Sequence, residues 1–430
     1  MHKSIVIDHV CRVEGHGGII INIKDHKITE VNVDIFEGPR FFESLVVGRT
    51  YDEVATILMR ICAICSAAHT VTSLMAVENA LGIQVTSQTR LLRDLLVHGG
   101  NIESHALHLF CLAVPDFMNY PSAIALASDH PKEVKMGLEL KKLGNTIQET
   151  IGGRAIHAVN AVVGGFGRLP TPEELLALKQ QLKIGLEQSL ATVDLVSGLQ
   201  VPDFCTSPNV YAALSSDNSE YSLFGDKIAL STGDTKDIGS YKDICCETVV
   251  PHSHAKHSRF KGNAFMVGAL ARIVLNGEKL SGQAKRAREK LDFNLLAGNP
   301  LHNNTAQAIE IVYSIERSIQ IIEELLNLGI KDEKPLEVRT KAGTGTGAVE
   351  APRGTLYHSY SFDKKGRLTE ADVITPTAQN LANLEKDLRV SVEKLINEPK
   401  ESLAPTLEMV VRAYDPCISC AVHLVEVNFE

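Results

Sequence analysis

The sequence predicts an α+β chain: a helix-dominated body, a bundle of long helices, with small antiparallel sheets near its N- and C-terminal parts. Three observations carry this. Strand-like patterns occupy residues 4–36 and return at 337–375. Between them, apolar residues recur at helical spacing over long stretches. Two Cys-x-x-Cys pairs, Cys62/Cys65 and Cys417/Cys420, stand near opposite ends of the chain. A site using both pairs requires one compact unit rather than a row of independent domains.

Each element has its own signal. Ile19–Ile23 and Val31–Ile35 are β-branched runs, the second strictly alternating, and Asp25-His26-Lys27 between them suits a hairpin turn. Over 51–82 the period changes. Leu58, Ile61 and Ile64, then Leu74, Ala76, Val77 and Leu81, fall at helical spacing, with Gly82 as a stop. Long helical patterns follow at 85–114, 132–151 and 172–198. Thr171-Pro172-Glu173-Glu174 opens the last of these with a capping residue, a proline and two acids. Residues 208–250 are mixed, with short strands at Val210–Leu214 and Lys227–Leu230. Helices resume at 264–292 and 305–328. Strands return at 337–375, turning at Asp363-Lys364-Lys365-Gly366, and helices near 378–397 and 402–412 follow.

Composition narrows the function classes. A chain of 430 residues with 44% hydrophobic and 22% charged residues can bury a large core and is not globally disordered. A net charge of −9 lacks the basic balance of a nucleic-acid binder. No uninterrupted apolar run reaches about 18 residues, so no membrane span is expected. The opening MHKSIVIDHV lacks the apolar region of a secretory signal, which points to the cytoplasm. Nine cysteines, an odd number in a large chain, make a poor disulfide framework.

The cysteine pairs carry the chemistry. The first lies in Arg60-Ile-Cys62-Ala-Ile-Cys65-Ser-Ala-Ala-His69, the second in Asp415-Pro416-Cys417-Ile-Ser-Cys420-Ala-Val-His423. Four thiolates suit a soft or borderline metal. Spacing alone leaves a structural zinc site of four cysteines and a redox metal equally open. Two other motifs read as decoys. Gly343-Thr-Gly-Thr-Gly347 lacks the strand–turn–helix context of a phosphate loop and is read as a loop before Arg353. His252, His254 and His257, among Lys256, Arg259 and Lys261, are read as an interface or solvated segment.

Further blocks stand in order around the cysteines. They are Arg12-Val-Glu-Gly-His16, Glu37-Gly-Pro-Arg-Phe-Phe-Glu43, Glu103-Ser-His-Ala-Leu-His108 and Gly152-Gly-Arg-Ala-Ile-His157 with Val163-Gly-Gly-Phe-Gly167. Val267-Gly-Ala-Leu-Ala-Arg272, Glu350-Ala-Pro-Arg-Gly354 and Thr375-Pro-Thr377 complete the set. Over almost its whole length the sequence resembles the large, catalytic subunit of a nickel-iron hydrogenase. It is most similar to the cytoplasmic NAD(P)-linked branch, including the sulfhydrogenases.

The resemblance implies specific roles. Cys62, Cys65, Cys417 and Cys420 would bind nickel, with Cys65 and Cys420 bridging to an iron that carries cyanide and carbon monoxide. Glu14 would relay protons. Arg353 would overhang the metals, oriented by Asp116 and Asp415, with Pro352 shaping the wall and Thr377 donating to a cyanide. His69 would hydrogen-bond a bridging thiolate. Glu43, the carbonyl near Val373, and His423 would hold a magnesium-like ion. Residues 1–430 would act as a single unit: a β-rich part at 1–50, a mainly helical body at 51–336, and 337–423 completing the metal site. The tail 424–430 would be removed by a maturation endopeptidase. No flavin, NAD or iron–sulfur site is expected within the chain. Electrons from H2 would therefore pass to an iron–sulfur small subunit, and on to a flavin- and iron–sulfur-containing NAD(P) reductase or a ferredoxin-linked module. Two other readings stay open beside this one: a non-catalytic subunit like those of respiratory complex I, and a zinc-stabilised binding module.

Overall fold

A computed structural model describes residues 2–25, 27–292 and 296–422. Its N-terminal sheet has strands His2–Ile7, Gly17–Lys24 and Lys27–Ile35 in that order, all antiparallel. The register sets Ile5 opposite Ile21 and Ile21 opposite Val31, so one face is a buried β-branched layer. The hairpin turn expected at Asp25-His26-Lys27 falls partly outside the described residues, at His26.

Behind the first cysteine pair runs the helix Ser66–Leu81, in which every residue except Met75 and Asn79 is buried. A helix buried on nearly all sides lies in the interior rather than on a surface. It ends at Gly82, whose φ of 71° is the left-handed stop expected from the sequence. The longest helices, Ser87–Leu107, Pro131–Gly152, Pro172–Ser197 and Asn303–Leu328, pack together as the bundle. Thr171 is the capping residue predicted for the third, and the structure adds a reciprocal bond from Glu174.

The structure departs from the sequence reading in three places. Residues 264–292 are not one helix: Ala269–Asn276 and Gly282–Glu289 are separated by a tight turn at Gly277–Lys279. Gly282 starts the second with φ of 60°, and the Glu316 carboxylate accepts from the free N–H groups of Gln283 and Ala284. Residues 208–260 hold more β-structure than expected. There is a three-stranded sheet (Ala212–Ser215, Lys227–Leu230, Thr235–Asp237) and a hairpin (Cys246–Val250, Ser253–Arg259).

The third departure is Gly343–Gly347, which is strand, not loop. Gly343–Ala351 pairs with Gly354–Phe362, which pairs with Leu368–Ile374. A Cβ on Gly343, Gly345 or Gly347 would lie 2.2, 2.2 or 2.3 Å from backbone atoms of Ala80, Ala80 and Thr72. Glycine at every second position thus lets this strand lie directly on the backbone of the cysteine-bearing helix.

Candidate metal centre

Each cysteine pair sits where a turn becomes a helix. Met59–Ile61 forms a tight turn, Cys62 is extended, and Cys65 caps the helix Ser66–Leu81. Cys417 likewise caps the short helix Ile418–Ala421, which contains Cys420. This geometry turns both sulfurs of a pair to one side.

The two pairs meet. Cys62 Sγ lies 3.3 Å from Cys417 Sγ, Cys65 Sγ 3.4 Å from Cys420 Sγ, and Cys417 Sγ 2.8 Å from Cys420 Sγ. All four are buried, and their sulfurs lie within 4.8 Å of one another. Burial pushes the Cys417 and Cys420 thiols well up, whereas hydrogen bonds from those same two thiols hold Cys62 well below an ordinary thiol. Four thiolates at this spacing repel strongly, and a cation among them removes the conflict.

A cavity of about 10 Å³ adjoins the sulfurs. Cys65, Cys417, Cys420, His69, Arg353 and Thr377 line it, with Ala351, Leu356 and Pro376 as apolar wall. Arg353 is buried, and Asp415 binds it through a carboxylate oxygen 3.0 Å from both Nε and Nη2. Burial works against the Arg353 charge, yet Asp415 and the cysteine sulfurs hold its pKa well above the usual arginine value. Its Nη1 is buried with no partner among the described residues. Thr377 Oγ1 accepts the Cys417 N–H at 2.9 Å, which leaves the hydroxyl hydrogen available. His69 Nε2 lies 3.8 Å from Cys420 Sγ, and its Nδ1 lies 3.0 Å from His358 Nε2.

Glu14 joins the site from the other end of the chain. Its Oε2 accepts from Cys417 Sγ at 3.2 Å and from the Ser419 N–H at 3.0 Å. Its carbonyl accepts the Ile418 N–H at 3.0 Å. The neighbouring Gly15, at φ of 88°, permits this approach, since a Cβ there would sit 2.6 Å from Ile418 Cβ.

Three expectations meet a different geometry. Asp116 does not pair with Arg353. Its two oxygens are held by Arg412, with Arg412 Nε at 2.6 Å, and by Arg12, so it ties the N-terminal loop to the helix Lys400–Ala413. Pro352 does not line the cavity; its carbonyl accepts from Arg272 at 3.1 Å, and Pro376 supplies the proline of the wall. Glu43 is buried beside Val373 as expected, but one of its oxygens accepts the Val373 N–H at 2.8 Å. His423 and the tail 424–430 lie outside the described residues.

Two arginines stand in the quoted blocks without a role assigned from the sequence. Arg40 donates to the Ile61 carbonyl at 2.6 Å and to the Ser419 carbonyl, so it bridges the two cysteine motifs. Arg272, 1% exposed, donates to the Ala351 and Pro352 carbonyls at 3.0 and 3.1 Å and fixes the backbone leading to Arg353. Glu310 and Glu350 neutralise it at 2.6 and 2.9 Å. Although burial opposes it, the Arg272 guanidinium holds the Glu310 carboxyl well below its usual range. Neither arginine has a spacing signal, because both act on carbonyls far away in sequence.

Comparison with known proteins gives a consistent result. A family model described as nickel-dependent hydrogenase matches residues 40–146 and 215–423. Sulfhydrogenase 1 subunit alpha of Pyrococcus furiosus is 43% identical over 426 residues, covering 99% of both chains. Sulfhydrogenase 2 subunit alpha of the same organism is 41% identical over 423 residues, covering 98% of this chain and 99% of the relative. A crystal structure of an NAD+-reducing nickel–iron hydrogenase in the H2-reduced state aligns with a TM-score of 0.90 at 26% identity. That alignment covers 98% of this chain and 99% of the other.

Proposed function

The chain belongs to the nickel-dependent hydrogenase family, and we propose that the four-cysteine centre is where it carries out the family's reaction. It is the catalytic large subunit of a nickel-dependent hydrogenase, an oxidoreductase acting on hydrogen. The observation that carries the site reading is the convergence of four buried sulfurs from opposite ends of the chain, with a carboxylate 3.2 Å from one of them.

The donor set fits a nickel–iron group: four thiolates, a small adjoining cavity and a buried guanidinium nitrogen without a partner among the described residues. Cys62, Cys65, Cys417 and Cys420 would hold nickel, and Cys65 and Cys420 would share an iron with cyanide and carbon monoxide ligands. When bound, that group supplies the heterolytic splitting of hydrogen. The protein supplies the rest. Glu14 Oε2 takes a proton from Cys417 Sγ and, being half-buried, passes it toward the surface. Arg353, held by Asp415, presents a fixed positive charge to the cavity, and the Thr377 hydroxyl donates into it. His69 orients the Cys420 sulfur.

We further assign Glu43, the Val373 carbonyl and His423 to a magnesium-like ion; that Glu43 is a buried carboxylate supports it. The chain is taken to work as one unit, in the cytoplasm, with an iron–sulfur small subunit and an NAD(P)- or ferredoxin-linked module. Its relatives are named as subunits of larger enzymes, and among the described residues no helix is long and apolar enough to cross a membrane. Removal of 424–430 by a maturation endopeptidase completes the proposal.

Infrared spectroscopy and metal analysis of the matured protein test the site. Cyanide and carbon monoxide bands with nickel and iron support the reading. Zinc alone indicates a binding module, and no transition metal a structural subunit like those of complex I. Active, nickel-containing enzyme that retains Glu430 by intact mass would refute the processing step.

A further inference from the structure

Of the three histidines in the segment 252–257, His254 is exposed and His252 half-buried, but His257 is buried. His257 is 1% exposed, in the second strand of the hairpin Cys246–Val250/Ser253–Arg259. Strand pairing slips between Ser253 and His257, yet burial still alternates from Ser253 through His257. His252 stands in the turn. Both face Glu385 on the helix Pro376–Leu395, about two turns beyond Thr377.

His252 Nε2 lies 2.8 Å from Glu385 Oε1, and His257 Nδ1 lies 3.6 Å from Glu385 Oε2. One ligand atom from each residue falls within 4.8 Å of the others. Neighbouring donors of a tetrahedral zinc ion are separated by about 3.3 Å, given bonds of about 2.0–2.1 Å. The three residues thus stand at a spacing that one ion of this size can span, each histidine facing its own oxygen of Glu385. The His257 ring makes no hydrogen bond among the described residues: its Nδ1 is too far from Glu385, and its Nε2 is buried without a partner. Glu385 is positioned by the Val33 N–H, which donates to Oε1 at 3.0 Å. Of the nearby charges, Arg259, Lys386 and Arg389, which line one cavity with Glu385, oppose a cation, and Glu30 favours one.

We propose that His252, His257 and Glu385 form a second metal site, separate from the four-cysteine centre, which takes a divalent transition ion of the zinc type. Two imidazoles and one carboxylate are a donor set for such ions, with water completing the shell. The ion clips the hairpin to the helix whose first turn holds Thr377, so its role is structural support.

The test uses the nickel-loaded holoenzyme complex, in which the four cysteines are already filled. It is incubated with Zn2+, desalted, and analysed for zinc and nickel. The wild type should retain one zinc equivalent that H252A and E385Q both lose, with nickel content and hydrogen uptake unchanged. H254A should keep the zinc, since His254 bonds instead to the Glu37 carbonyl. His252 is partly exposed, so a thermal midpoint of zinc-free H252A equal to that of the zinc-free wild type will verify folding. Absence of retained zinc in the wild type, or equal retention in H252A and E385Q, overturns the proposal.

Discussion

The two halves of the cysteine centre are built differently. Cys62 and Cys65 lead into a 16-residue helix buried on nearly every side and overlaid by a glycine-spaced strand. Cys417 and Cys420 sit on a helix of four residues. Single groups hold that helix: the Glu14 carboxylate and carbonyl, Arg40 on the Ser419 carbonyl, and Thr377 on the Cys417 N–H. One half is positioned by packing, the other by hydrogen bonds. The difference teaches where adjustment is available. Both halves are buried, but the first is fixed by a long helix and an overlying strand, whereas the second stands on a single helical turn and depends on a few named hydrogen bonds.

The largest expected effect comes from breaking the metal cage. Cys417→Ser should abolish hydrogen uptake and nickel retention, whereas Cys205→Ser, remote from the cage, should leave both near wild type. Nickel analysis and an uptake assay read this, and normal nickel in the Cys417 variant would contradict the assignment.

Next, Gly345→Val attacks the packed half. Its Cβ meets backbone at 2.2 Å, so we expect a loss of about 3 kcal/mol or more, read as a lower thermal midpoint or insoluble protein. A midpoint within a degree of wild type would show that the strand does not press on the cysteine helix.

A smaller effect should follow Glu14→Gln. The amide keeps the acceptor for the Ser419 N–H and loses the acid, so turnover and hydrogen/deuterium exchange should fall roughly 100-fold with nickel content unchanged. Unchanged turnover would remove Glu14 from the proton route.

The mildest is Arg40→Ala, which removes the bridge between the motifs. Two charge-assisted bonds on an exposed side chain suggest about 1–2 kcal/mol, seen as slower or incomplete nickel loading with a fall of only a few degrees in the thermal midpoint. If loading is normal and the midpoint falls, the bonded half owes its position to packing after all.

The helices were legible because their apolar residues repeat, as in Leu74, Val77 and Leu81, and because Gly82 and Thr171 carry end signals. The strand at 343–347 was not, since glycines leave no hydrophobic pattern and their role depends on a helix more than 260 positions earlier. The four cysteines and Glu14 were legible as motifs, and the structure brings those side chains together. The partner of Asp116 was not: a motif marks that an aspartate is present but not which of several arginines reaches it, and Arg12 and Arg412 reach it first. The burial of His257 was hidden by its basic neighbours, because a strand alternates charged outward and buried inward residues within one short run.

The contact between Glu14 and Cys417 spans 403 positions and so closes a very large loop. Closing so large a loop in a flexible chain costs about 5 kcal/mol in entropy. A metal held by thiolates of both motifs, as proposed above, would act as the clasp. If that clasp survives denaturation, the unfolded chain is a tethered loop rather than an open coil. The metal-loaded enzyme should then expose less surface on unfolding and show a shallower dependence on denaturant than the metal-free chain.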